Sequence, residues 1–163
     1  LVYENLPAAL KNPDDPEIRS NLSLAAMIAG IAFNDAPPQL GHAIAHTLGA
    51  HFHVSHGKLL AAALPQVVEY VVDAVPDRIK KAGEAMGMNL EGMSVEDMGK
   101  AVADKIRSFT KELGLPVMKD LDVNRDELKK IAPKILQDDC AHFVPKDVDP
   151  ETVFDILQKT YEI

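Results

Sequence analysis

Apolar positions along the chain recur three and four residues apart, the period of an α-helix with one buried face. The spacing begins with Leu6 and Leu10. It resumes after the turn cluster Asn12-Pro13-Asp14-Asp15-Pro16, at Ile18, Leu22, Ala25, Ala26, Ala29 and Phe33. Asp15 is suited to cap this second helix, because its carboxylate can accept from the free N–H groups of the first turn. Pro16 suits the first helical position, where no N–H is needed. The alanines and Gly30 predict close packing of this helix on its neighbours. Pro37-Pro38 ends it. A short helix is predicted over residues 39–48, with Gly49 as its stop and a loop at 50–55.

A hydrophobic helix is predicted over 56–75, and Pro65 should kink or break it. Further helices are predicted over 76–86, 95–113, 125–137 and 150–161. Gly87 and Gly114 stop the first two of these, and Pro133 marks a kink in the third. Ser94 with Asp97, and Asn124 with Glu127, have the spacing of capping boxes. No segment sustains a two-residue alternation. The most strand-like run, Val67-Val68 with Tyr70-Val71-Val72, fits a buried helix as well. The pattern predicts an all-α fold: a multi-helix bundle forming one domain over residues 1–163, its short loops making neighbouring helices near-antiparallel.

Composition narrows the partners. Apolar residues are 47% of the 163 and charged residues 26%, which is globular and excludes a disordered chain. The longest apolar stretch, 22–33, is too short to span a bilayer. Seventeen basic against 25 acidic residues give a charge of −8, the wrong sign for nucleic acid or an anionic membrane surface. A single cysteine excludes an internal disulfide and Cys-rich zinc modules. The chain opens at Leu1 without Met or a basic segment of the signal-peptide kind, and its simplest reading is a piece of something longer.

Five of the six histidines fall between positions 42 and 56. His42 and His46, four apart on a predicted helix, project from one face and can chelate one ion. His51, His53 and His56 follow on the loop and the next helix start. Any one histidine taken alone reads as a surface or packed residue, but the cluster points to a metal or catalytic site. Neutral imidazoles suit Fe, Zn, Cu and Ni, and a carboxylate partner favours Fe or Zn. Gly-rich phosphate loops and the G-x-S-x-G elbow are absent from the sequence. Cys140, with His142 close by, reads as a small packed thiol rather than a nucleophile. The methionines between 86 and 98 read as packing.

Residues 4–70 carry a more specific signal. Glu4-Asn5-Leu6-Pro7, Asn12-Pro13-Asp14, Arg19 and Ala29-Gly30-Ile31-Ala32-Phe33 lead into Gly41-His42-Ala43-Ile44-Ala45-His46-Thr47-Leu48-Gly49. Ser55-His56-Gly57 and Leu64-Pro65-Gln66-Val67 follow. This series resembles the C-terminal helical domain of the iron-containing (group III) alcohol dehydrogenases. Gly87, Leu113-Gly114-Leu115-Pro116 and Asp138-Asp139-Cys140 extend the resemblance more loosely toward the C-terminus. Ser55 stands where the family usually has Pro, Leu60 replaces a common Asn, and Pro37-Pro38 is unusual.

The resemblance implies an oxidoreductase whose divalent metal, Fe²⁺ first and Zn²⁺ second, is held by one Asp and three His. His42 and His56 match the last two ligands. His46 matches a histidine beside the substrate, which corrects the bare spacing argument for a His42–His46 chelate. Phe33 and Cys140 match positions lining the substrate and nicotinamide cavity, and His51 and His53 match no assigned role. In the intact enzyme the metal acts as Lewis acid on the alcohol oxygen, His46 assists proton removal, and hydride passes to NAD or NADP.

The partners implied are a small alcohol or aldehyde and an N-terminal dinucleotide-binding domain of the same polypeptide. That domain, with the segment bearing the Asp and first His, lies outside these residues. A cytoplasmic location is expected, and homo-oligomer assembly is left open. The alternative reading is a free-standing His-rich helical metal-binding protein, in which His51 and His53 complete a ligand set. A metal-free helical interaction module is a third.

Overall fold

A computed structural model describes residues 1–162. Eight α-helices form among them: α1 Val2–Lys11, α2 Pro16–Asp35, α3 Leu40–Phe52, α4 His56–Val71, α5 Pro76–Ala85, α6 Val95–Glu112, α7 Leu128–Ile135 and α8 Pro150–Glu162. Short 3₁₀ turns cover Met118–Asp120, Arg125–Glu127 and Asp139–Phe143. No strand forms among the described residues, so the all-α expectation holds. Among the described residues no helix is long and apolar enough to cross a membrane.

The helix starts follow their capping chemistry. Asp15 accepts from the N–H groups of Glu17 and Ile18. Ser94 Oγ accepts from Asp97 N–H at 3.1 Å, the N-cap half of a capping box, and its hydroxyl donates to the Asp97 carboxylate at 2.7 Å. Asn124 caps a 3₁₀ turn, so the helix predicted over 125–137 begins as 3₁₀ and becomes α only at Leu128. Gly87 and Gly114 take left-handed conformations, φ 78° and 72°, and end α5 and α6 as expected. α4 is continuous through Pro65, which is buried, and ends at Val71 rather than Val75. The lost hydrogen bond at that proline is outweighed by burial of Leu59, Ala63, Val67 and Val71 on the same helix.

α4 is the central element and packs on α3, α6 and α8. Leu40, Ile44 and Leu48 of α3, Val102 of α6, Leu128, Ile131 and Ile135 of α7, and Leu157 of α8 are almost completely buried. Gly99 is the contact point of α6. A Cβ there would meet the Val72 side chain at 2.7 Å.

α2 departs from its expected packing. Ile18, Leu22 and Ala25 are half-buried, but Ala26, Ala29 and Phe33 are exposed. Its principal neighbour is α1, with Asn21 Nδ2 donating to Asn5 Oδ1 at 3.1 Å. Tyr3 of α1 packs against Phe109 of α6, the rings tilted at 36° with centres 4.8 Å apart. Gly30 has no neighbour within 4 Å of a Cβ, so it marks no close approach.

These two glycines make opposite predictions. Gly99→Ala forces a methyl against a stiff β-branched side chain and should destabilise by about 1–3 kcal/mol. Gly30→Ala meets open space in a helix and should stabilise by up to about 1 kcal/mol. Urea unfolding of both variants checks this, and equal effects would contradict the packing described.

Candidate metal and catalytic site

The site is built on the α3–α4 hairpin. α3 continues past Gly49 to Phe52, so Gly49 is not its stop. The chain turns instead at His53, the one non-glycine residue with positive φ (57°) among the described residues, and restarts as α4 at His56. Gly49 serves a different need. A Cβ there would lie 3.1 Å from the Val54 carbonyl oxygen, so glycine lets the turn fold back onto α3. The helical spacing puts His42 and His46 on one face of α3, and the tight return brings His56 to them.

The three imidazoles form one cluster. Ring centres are 5.4 Å apart for His42–His56, 6.0 Å for His42–His46 and 5.1 Å for His46–His56, the last pair stacked at 26°. Two imidazoles on one tetrahedral ion, at about 2.0–2.1 Å per bond, hold their ring centres about 5 Å apart. The His42–His56 and His46–His56 spacings both fit that arrangement. His42 is half-buried while His46 and His56 are exposed. Burial first, then the neighbouring His56 and His46, hold the His42 ring below its usual value against an opposing Asp138. A neutral ring is the form that ligates metal.

A residue that the sequence reading passed over completes the cluster. The 3₁₀ turn Asp139–Phe143 packs on α3 and sets the Asp138 carboxylate 3.0 Å from His46 Nδ1. His46, Asp138 and Cys140 have donor atoms all within 4.8 Å of one another. The Asp-Asp-Cys run was the available signal, but nothing in the sequence tied it to a histidine 92 positions earlier. Cys140 is half-buried, and burial, with Asp138 and Asp139 nearby, raises its thiol, which stays protonated. That agrees with a packed thiol.

Other predicted residues lie apart. His51 is helical, not in a loop, and its Nε2 bonds the Glu127 carboxylate at 2.9 Å. With His53 left-handed, the extended H-x-H geometry that would place both rings together does not form. Phe33, near the end of α2, is 58% exposed. A groove of about 580 Å³ lies elsewhere, around Gln66, Tyr70, Asp73, Lys100 and Lys146, and contains none of the clustered histidines.

Asp138 also makes a pH prediction. Burial pushes its carboxyl up, but the bonds from Cys140 N–H and His46 outweigh this and leave it below the usual carboxylate value. A folded value below the unfolded one gives stability above the unfolded value that is lost as pH falls through the folded one. The stability advantage of the chain over Asp138→Asn, from urea midpoints, should be present at about pH 6 and shrink by about pH 3. An advantage constant across that range would contradict the contact.

The chain is similar to known proteins along almost its whole length. Over residues 1–161 the chain matches the Fe-containing alcohol dehydrogenase family, C-terminal. It is 29% identical over 162 residues to 1,3-propanediol dehydrogenase from Citrobacter freundii, covering 99% of this chain and 42% of that protein. It is 28% identical over 159 residues to NAD-dependent methanol dehydrogenase from Bacillus methanolicus, covering 97% of this chain and 41% of that protein. The solved structure of alcohol dehydrogenase from Oenococcus oeni superposes with a TM-score of 0.93 at 29% identity, covering 98% of this chain and 42% of that one. The chain thus spans well under half the length of these relatives. With the match running through the described helices almost end to end, the chain belongs to the Fe-containing alcohol dehydrogenase family and corresponds to its C-terminal part.

Proposed function

We propose that this chain is the metal-holding helical domain of an NAD(P)-dependent alcohol dehydrogenase that interconverts small alcohols with aldehydes or ketones. The observation that carries the reading is the approach of the His42 and His56 rings to 5.4 Å within the H-x-x-x-H-x-x-G and H-G frame. An aspartate and a further histidine, supplied by a preceding part of the same polypeptide together with the dinucleotide-binding domain, complete the ligand set. The relatives' names support alcohol chemistry, and one names NAD. Iron fits a mixed imidazole and carboxylate set, which zinc also tolerates. The reading places the protein in the cytoplasm.

His42 and His56 would hold the ion, and when bound it supplies Lewis-acid polarisation of the alcohol oxygen while the nicotinamide accepts hydride. His42 presents a neutral ring from the half-buried side of α3. His56 stands at the first turn of α4. By its match to the family motif, His46 is read as the residue that takes the hydroxyl proton or orients the substrate, and not as a ligand. Phe33 and Cys140 are assigned to the wall of the substrate and nicotinamide cavity. A free-standing metal-binding protein would need His51 and His53 at the ion, and the His51–Glu127 bond with the left-handed turn at His53 weighs against it.

Two outcomes follow. In the longer polypeptide, His42→Ala or His56→Ala should abolish tight metal binding. His46→Ala should keep the metal and lower turnover by about 10²–10⁴. Metal loss from His46→Ala comparable to the other two would reinstate the His42–His46 chelate. The 163-residue chain alone, with two of four ligands, should fold without metal, purify with little iron or zinc, and produce no NADH from alcohols. Stoichiometric metal together with a large fall in melting temperature on chelation would favour the free-standing reading.

A further inference from the structure

We propose that Asp138 is a positioning residue for His46, fixing the neutral ring in the tautomer that carries its proton on Nδ1 and leaves Nε2 free to accept one. The inference rests on the reading of His46 as the proton-accepting group beside the substrate.

The geometry assigns separate tasks to the two carboxylate oxygens. Oδ1 accepts from Cys140 N–H at 2.9 Å and so anchors the 3₁₀ turn that packs on α3. Oδ2 faces His46 Nδ1 at 3.0 Å. A carboxylate offers only acceptor sites, so the hydrogen in that contact belongs to the ring. The partnership is tertiary: 92 residues separate the two, and only the docking of the 3₁₀ turn brings them together. The ring is already restrained by its place on α3 and by stacking on His56. What Asp138 adds beyond orientation is the choice of nitrogen. A proton on Nε2 would place a donor where a base must accept. The carboxylate–histidine pair of serine proteases shows the cost, since an amide in place of the carboxylate keeps the geometry and installs the wrong tautomer.

Nitrogen NMR reads this directly. Long-range ¹H–¹⁵N correlation on the ¹⁵N-histidine-labelled 163-residue chain, with chelator and at about pH 8.5, well above the ordinary imidazole value, separates protonated from unprotonated ring nitrogens. His46→Gln assigns the signals. The expected result is Nδ1–H for His46, a shift toward Nε2–H in Asp138→Asn, and return to Nδ1–H in Asp138→Glu, with the His42 and His56 signals as controls. Asp138→Asn keeps an oxygen for the Cys140 N–H, so the 3₁₀ turn retains its cap.

Nε2–H in the unsubstituted chain, or a tautomer unchanged in Asp138→Asn, overturns the proposal. The unsubstituted spectrum decides even if a variant misfolds. In the longer enzyme Asp138→Asn should lower kcat by about 10²–10⁴ with KM changed little. A loss confined to KM would likewise overturn it. The NMR is read without metal, so its failure removes the role of Asp138 and leaves the His42–His56 assignment standing. Metal loss in His46→Ala would instead remove the reading of His46 as the base.

Discussion

The close return of α4 onto α3 is the constraint on which the site depends. Three residues, His53 to Ser55, reverse the chain between two helices. The reversal requires His53 in a left-handed conformation and a residue at 49 without a side chain, because the Val54 carbonyl lies 3.1 Å from where a Cβ would stand. A wider turn would carry His56 away from His42 and leave two unrelated surface imidazoles. The buried apolar side of the hairpin, Leu40, Ile44 and Leu48 against Leu59 and Ala63, holds the helices in that register. Core packing and imidazole spacing are thus one structural feature, read from opposite faces of α3.

The same hairpin leaves the clustered histidines in different surroundings. His42 is half-buried and His46 and His56 are exposed, although helical spacing alone treats His42 and His46 alike. The difference is what docks on α3 from elsewhere. The 3₁₀ turn after Asp138 reaches His46. The 3₁₀ turn before α7 reaches His51 through Glu127 and lowers that carboxyl by the bond. Each of these histidines is therefore committed to a carboxylate on a later element, and neither is free in the way a sequence count suggests. Meanwhile α2 presents Leu24, Met27, Ile28, Ile31 and Phe33 to the outside, an apolar stretch larger than isolated surface residues need.

Much of the fold was legible because helix signals are local. Asp15, Ser94, Gly87 and Gly114 act where their chemistry says they should. The histidine cluster was legible because i, i+4 spacing fixes a face. Gly49 was misread because a glycine admitting a neighbouring carbonyl and a glycine ending a helix look identical in sequence. The exposure of Ala26, Ala29 and Phe33 was misread because periodicity marks an apolar face without saying what covers it. Asp138 was missed because its partner lies 92 residues away, and only tertiary docking joins them.

Anomalous diffraction from crystals of the chain soaked in a divalent metal tests the central claim most directly. The expected result is an ion about 2.0–2.3 Å from one nitrogen of His42 and one of His56, with the remaining positions filled by water and His46 outside bonding distance. An ion held instead by His46, Asp138 and Cys140, with the His42–His56 position empty, would contradict it.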